Sequence, residues 1–302
     1  MSFDFVNTLR AAFKNNIYKS SNEEERKKEI IKLSLKALSD KPERIVGFLR
    51  FQTVKQKLIQ FITQSFEIKT GDMLEEFFTS LFGNHYRNLP KKVDGLKCDQ
   101  LFQEDDNGIT TIYLIEQKIR DDHDSTKKNG QVENFEHKIS ALRATYPNAL
   151  IRGYEWFIDD SFKKYPDFYK SKFNEFKTGK EDWFDGGVFY GGDLINTLCG
   201  PETWEKFVDA YNVVKKEYTS DIGTIIQNYD FDNDPLGVVF SFYKGKRKEK
   251  LMIFFDPSYE EVRETLFSDG VMEEKLNTYF KTKKTKTAIF YIEQYNLKHG
   301  EE

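Results

Sequence analysis

Asn107-Gly108 constrains this chain more than any other pair of residues. Both central residues of a two-residue hairpin turn take positive φ, and Asn-Gly is the strongest short signal for that turn. It divides Cys98 to Lys118, CDQLFQEDDNGITTIYLIEQK, into two apolar-rich runs. With the turn centred there, Asp106 faces Ile109, Phe102 faces Tyr113, Leu101 faces Leu114 and Asp99 faces Glu116. Directly opposed residues bring their Cβ atoms within about 4.5–5.5 Å. Faces alternate along a strand, so Lys118 shares a face with Glu116. The turn therefore predicts one sheet face carrying Asp99, Glu116 and Lys118. A register slip of one residue sends Asp99 to the other face.

Directly opposed like charges destabilise a sheet. Two arrangements relieve the repulsion: a solvated face on an edge hairpin, or a divalent cation between the acids. Mg²⁺ takes oxygen ligands, commonly one or two carboxylates plus substrate phosphates. A lysine beside such an ion holds a phosphate or orients an attacking water.

The 302 residues suffice for one large domain or two, and 38% hydrophobic with 16% aromatic content is ample for a core. A net charge of −4 announces no polyanionic partner. Local runs say more: Lys163 to Lys180, Lys244 to Lys250 and Lys281 to Lys286 are basic, the first with interleaved aromatics. Such runs suit a phosphate backbone, and they equally suit solvated loops. Cys98 and Cys199 have neither metal-ligand spacing nor a disulfide framework, and the four histidines are scattered, which argues against zinc. The N-terminus lacks the apolar core of a signal peptide and no run approaches a membrane span, so a soluble cytoplasmic protein is expected.

In chain order, residues 1–70 read as a helical N-terminal layer. Ser21 and Glu24 fit a capping box, and a further helix is predicted over Val54 to Phe66. Thr70 or Asp72 caps the next helix, whose buried stripe is Leu74, Phe77, Phe78 and Leu81, with Glu75 and Glu76 on either side of it. After the hairpin, Ile119 to Gln131 reads as a polar loop containing His123-Asp124. A helix over about Gly130 to Thr145 follows, with Phe135, Ile139 and Leu142 inward and Gln131 in its first turn. Asn148 to Asp159 reads as a central strand, and Val188 to Tyr190 as a short one between glycine pairs. Beyond Pro201 helices dominate. Leu236 to Tyr243 with Leu251 to Phe255 form a second predicted hairpin, and Ala288 to Ile292 a last strand. With no repeat and no low-complexity linker, one elaborated domain is expected.

At the hairpin the sequence resembles the PD-(D/E)xK nuclease superfamily, and within it the type II restriction endonucleases. The pattern is an acid on one strand, then acid-x-Lys on the next. Asp99 and Glu116-Gln117-Lys118 match it. Many members carry a glutamate on a helix before the core, which Glu75 matches, with Glu76 as alternate. Some carry Gln-x-x-x-Tyr on the following helix, which Gln131 to Phe135 resembles with Phe in the aromatic place. The proline before the first acid is replaced by Cys98. Asp94 is a rival for that acid, although Asp94-Gly95 reads better as a turn. The resemblance covers roughly residues 70–160.

The resemblance implies a restriction-endonuclease-like α/β core, a mixed central sheet flanked by helices. Residues 1–70 are then an added helical layer, 70–160 the catalytic core, and 161–302 a C-terminal α+β elaboration of DNA-recognition and core-completing elements. It implies Mg²⁺-dependent, site-specific hydrolysis of double-stranded DNA. Asp99 and Glu116 would hold the metal with Glu75 as a further ligand, Lys118 would position the water, and Gln131 would orient the phosphate or Lys118. Lys127, Lys128, Lys163 and Lys164 would contact phosphates. A homodimer and a cognate DNA methyltransferase are the implied partners. Three alternatives stay open: a structure-specific repair or recombination nuclease on the same core, a non-catalytic DNA-binding or structural protein, and an RNA nuclease.

Overall fold

The computed structural model describes residues 3–40, 44–45, 51–121, 125–233, 250–267 and 270–300, the side chains at 39 and 125–127 excepted. Its strands are β1 (Arg87–Asn88), β2 (Lys92–Val93), β3 (Leu96–Lys97), β4 (Gln100–Asp106), β5 (Ile109–Lys118), β6 (Leu150–Phe157) and β7 (Phe184–Tyr190). Its helices are α1 (Phe5–Asn16), α2 (Glu23–Asp40), α3 (Val54–His85), α4 (Ser125–Thr145), α5 (Pro166–Lys177), α6 (Asp193–Cys199), α7 (Thr203–Tyr218), α8 (Ile222–Asn228), α9 (Glu260–Leu266), α10 (Val271–Lys281) and α11 (Lys286–His299).

Asn107 and Gly108 take φ of 49° and 83°, and the chain reverses there. The β4–β5 ladder runs from Asp106↔Ile109 through Phe102↔Tyr113 and Leu101↔Leu114, the predicted register. It stops at Gln100↔Ile115, so Asp99 lies one residue outside β4 and is not a ladder partner of Glu116. The five-stranded sheet has the order β1-β4-β5-β6-β7, and β2 and β3 form a separate hairpin. β5, β6 and β7 are mutually parallel. Parallel neighbours need crossovers, and α4 and α5 supply them.

Alternation sorts the sheet's two faces. On one, Leu101, Ile112, Leu114 and Ile151 pack with Phe135, Ile139 and Leu142 of α4 and Phe173 of α5. On the other, the Phe102 ring lies 4.7 Å from Phe82 of α3 and 4.9 Å from Tyr113, while Trp156 meets Phe78 at 4.6 Å. Burying each such ring stabilises the fold by roughly 1.5–3 kcal/mol. The result is a mixed α/β core with helices on both faces of the sheet.

Several local expectations give way to packing. The helices predicted on either side of Thr70 are one, the 32-residue α3. Gly71 costs a helix interior only about 1 kcal/mol, and the buried Met73, Leu74, Phe77 and Phe78 carry the helix onward. α2 is capped by Asn22, whose Oδ1 accepts from the Glu25 N–H at 3.1 Å, rather than by Ser21. α4 starts five residues before Gly130, so Gln131 falls in its second turn. Much of the basic aromatic run becomes α5, with Tyr169 and Phe173 in the core.

The expected C-terminal strands are corrected. Met252–Phe254 is a 3₁₀ turn, and Ala288 to Ile292 lies inside α11, which Thr285 caps through the Ala288 N–H at 3.1 Å. An apolar run without a neighbouring strand has no ladder to join, and the Thr285 cap favours helix. Leu236 to Tyr243 lies outside the described residues, so among those described the segment after β7 is helical.

The chain divides into two compact units, Met1–Ile17 with Lys69–Glu217, and Tyr18–Ile68 with Tyr218–Glu302. The sheet belongs to the first. The second is helical among its described residues, and α10 buries Glu273 in an ion pair with Lys298 at 2.6 Å.

Candidate active site

β5 carries the central residues. Ile112 and Leu114 point to the α4 face, so Glu116 and Lys118 continue that face beyond the apolar core. Asp99 reaches the same place from the end of β4. Its Oδ2 accepts from the Gln117 backbone N–H at 2.8 Å and stands 3.5 Å from Lys118 Nζ. Lys118 Nζ also lies 3.9 Å from Glu116 Oε2. The three residues predicted to share a face do meet, Asp99 through a strand-end hydrogen bond instead of a ladder pair.

Glu75 and Glu76 part company. Glu75 lies with Asp72, Lys97, Asp99, Gln117 and Lys118 around a cavity of about 230 Å³. Its carboxylate pairs with Lys91, just before β2, at 2.9 Å and with Lys97 of β3 at 3.1 Å. Glu76 turns to α1, accepting from Asn15 and Asn16 at 2.6 and 2.7 Å. Asp94 takes φ of 46° beside Gly95 in the β2–β3 turn. Gln131 does not line this cavity, and its Oε1 accepts from the Tyr169 hydroxyl at 3.1 Å. A larger cavity, of about 360 Å³, is lined by residues of α4 and α5 and holds none of the sequence-selected residues.

The proposed phosphate-contacting lysines gather around aromatic rings. Lys128 Nζ sits 3.8 Å from the Tyr165 ring centre and 4.2 Å from that of Phe168. Lys164 lies 5.1 Å from Tyr165, and Lys163 5.1 Å from Tyr190. The Lys127 side chain and the His123-Asp124 loop lie outside the described residues.

Three residues not selected from the sequence enter the site. Lys138 of α4 places Nζ 2.7 Å from Glu116 Oε1. Glu155 of β6 pairs in register with Glu116 and is 1% exposed. Asp121, fully buried, accepts from the Tyr165 N–H at 2.7 Å and the Tyr190 hydroxyl at 3.0 Å, tying the segment after β5 to α5 and β7. Sequence signals existed for the first two. Glu155 is an acid inside an apolar run, and Lys138 sits three residues from Phe135 and four from Leu142, on the buried stripe of α4.

Electrostatics follow from this crowding. Burial, then the neighbouring Asp99 carboxylate, raises the Glu116 pKa. Burial pushes Glu155 up to about 7, with Glu116 adding to the rise. Lys118 loses basicity to burial but gains more from Asp99, Glu116 and Glu155, so its pKa is raised.

Among the described residues no three His, Cys, Asp or Glu side chains gather into a metal-ligating cluster. The donors nonetheless suit a hard divalent cation. Asp99 and Glu116 offer carboxylate oxygens, and their mutual repulsion is what such a cation removes.

Residues 84–215, which hold the whole sheet and all of these groups except Asp72, Glu75 and Glu76, match the family described as type II restriction endonuclease, HinfI. The chain carries a type II restriction endonuclease domain. Its reaction class is the site-specific hydrolysis of DNA. Type II restriction endonucleases generally use a divalent metal. Neither the curated proteins nor the solved structures gave a match. Among the described residues no helix is long and apolar enough to cross a membrane.

Proposed function

We propose that this restriction endonuclease cuts double-stranded DNA by Mg²⁺-dependent hydrolysis, with Asp99, Glu116 and Lys118 at its centre and Glu75 beside them. The observation that carries the reading is Lys118 Nζ set between the carboxylates of Asp99 and Glu116 within the matched domain. Asp99 and Glu116 would hold the cation, with Glu75 able to join them. A bound divalent cation supplies a polarised phosphate and an activated water. Lys118, kept protonated by its acidic neighbours, presents positive charge to the phosphate and steadies the water beside it. Gln131 has an orienting role toward the phosphate or Lys118 once DNA is bound. Lys127, Lys128, Lys163 and Lys164 contact the backbone.

The same reading takes the full chain as one elaborated nuclease, with a helical layer before the core and DNA-recognition elements after it. It works as a homodimer in the cytoplasm, beside a methyltransferase of the same specificity. Digestion of a defined plasmid with and without Mg²⁺, followed by run-off sequencing, tests it. Discrete Mg²⁺-dependent bands support the reading. Ladders, preference for branched substrates, or no cleavage overturn it.

A further inference from the structure

We infer that Lys138 is a positioning residue of this site, fixing the Glu116 carboxylate from α4 so that its second oxygen faces Lys118. The inference rests on the reading of Glu116 as a metal-binding acid. Lys138 is 4% exposed. Lysine is almost never buried to that degree unless paired, and its partner is Glu116 Oε1 at 2.7 Å. Oε1 is itself buried and accepts no hydrogen bond, so the Lys138 ion pair is what compensates it, while Oε2 looks toward Lys118 at 3.9 Å. One carboxylate is thus divided between two lysines from different elements. Neither Lys138 nor Glu116 lines the cleft itself; Lys138 acts on it through Glu116, whose other oxygen faces the cleft-lining Lys118.

The backbone sets this contact. A Cβ on Gly153 of β6 would stand 2.6 Å from Ile139 Cδ1 and 2.7 Å from Phe135 Cζ. α4 therefore seats directly on a bare stretch of sheet, and Lys138 precedes the residue that seats it. Two residues further along β6, on the same face, Glu155 lies beside Glu116 and leaves its Oε2 without a hydrogen-bond partner. Without Lys138, Glu116 keeps an acidic neighbour and loses the cation that holds its orientation. Buried polar partners that orient metal-binding side chains are typically worth about 10–100-fold in metal affinity or activity.

The test compares Lys138→Met, Lys138→Arg and the double variant Lys138→Met/Glu155→Gln. Single-turnover plasmid cleavage, KM for DNA, Mn²⁺ binding by calorimetry without DNA, and thermal melting are measured for each. Lys138→Met is expected to lower cleavage about 10–100-fold and weaken Mn²⁺ binding with KM little changed, and Lys138→Arg to restore most of both. The double variant restores charge balance, so its melting temperature recovers while its cleavage does not. Wild-type cleavage and Mn²⁺ affinity in a folded Lys138→Met overturn the inference. Recovery of cleavage together with melting in the double variant also overturns it, because Lys138 then serves charge balance alone. If Lys138→Met does not fold, the double variant decides. Asp99→Ala run alongside separates the two levels: if it still cleaves, the reading of the site fails, whereas an inactive Asp99→Ala beside a normal Lys138→Met removes only the inference.

Discussion

Asp99 holds β5 by that strand's backbone, its Oδ2 accepting from the Gln117 N–H at 2.8 Å. The β4–β5 ladder has already ended at Gln100↔Ile115. This hydrogen bond brings the acid of the first strand to the Glu-x-Lys element of the second.

Replacing either Asp99 or Lys118 by Ala should lower plasmid cleavage by about 10²–10³, the usual worth of groups that stabilise developing charge. DNA binding, measured by gel shift, should survive in both. A variant that cleaves at the wild-type rate would remove that residue from the site.

Glu75→Gln and Glu76→Gln should behave differently although the residues are adjacent. Glu75 sits in the cleft with Lys91 and Lys97, and Glu76 binds Asn15 and Asn16 of α1. Parallel cleavage assays should show a loss for Glu75→Gln and wild-type rates for Glu76→Gln. The reverse result would assign the helix acid to the wrong neighbour.

Glu155 should make stability depend on pH in the absence of divalent cations. Its pKa is raised to about 7 by burial, so the folded chain binds a proton that the unfolded chain releases. Stability from this group is therefore greatest below the ordinary glutamate range and falls as pH rises through about 7. Glu155→Gln should be the more stable protein above that pH, by at most about 3–4 kcal/mol. The advantage should vanish near pH 4, the ordinary glutamate range. Melting curves across the range check it, and an advantage independent of pH would contradict it.

Gly153→Ala should destabilise the protein by about 1–3 kcal/mol, the usual cost of overpacking. The added methyl meets Ile139 and Phe135 at 2.6 and 2.7 Å. Because the Ile139 and Phe135 side chains must give way beside Lys138 to admit it, cleavage should fall further than DNA binding does. Chemical denaturation read beside cleavage gives both numbers, and an unchanged midpoint would mean that α4 seats elsewhere.

The hairpin was legible because its determinants are local: Asn107-Gly108 fixes the turn, and alternation then fixes Phe102↔Tyr113 and Leu101↔Leu114. Asp99 was found by its spacing, but the way it reaches β5 was not, since a strand end is set by the turn before it and by a backbone donor across from it. Glu75 was separable from Glu76 only once α3 had a direction relative to the sheet. Lys138 and Glu155 stood in the sequence as charges on apolar stripes, yet Lys138 meets Glu116 through the packing of α4 and Glu155 through a parallel register, neither of which a short segment specifies. The same limit explains Ala288 to Ile292, an apolar run that becomes strand only if a neighbour offers a ladder.

The parallel pairing of β5 with β6 also has a kinetic side. The β4–β5 turn joins neighbours in sequence, whereas Glu116 meets Glu155 and Lys138 only after the chain has passed through α4 and returned. Contacts of large sequence separation form slowly because loop closure must precede them. A refolding chain should therefore acquire its hairpin before it can cut, and the interval between the two is the time in which β5, its polar end still uncovered, is open to pairing with another chain.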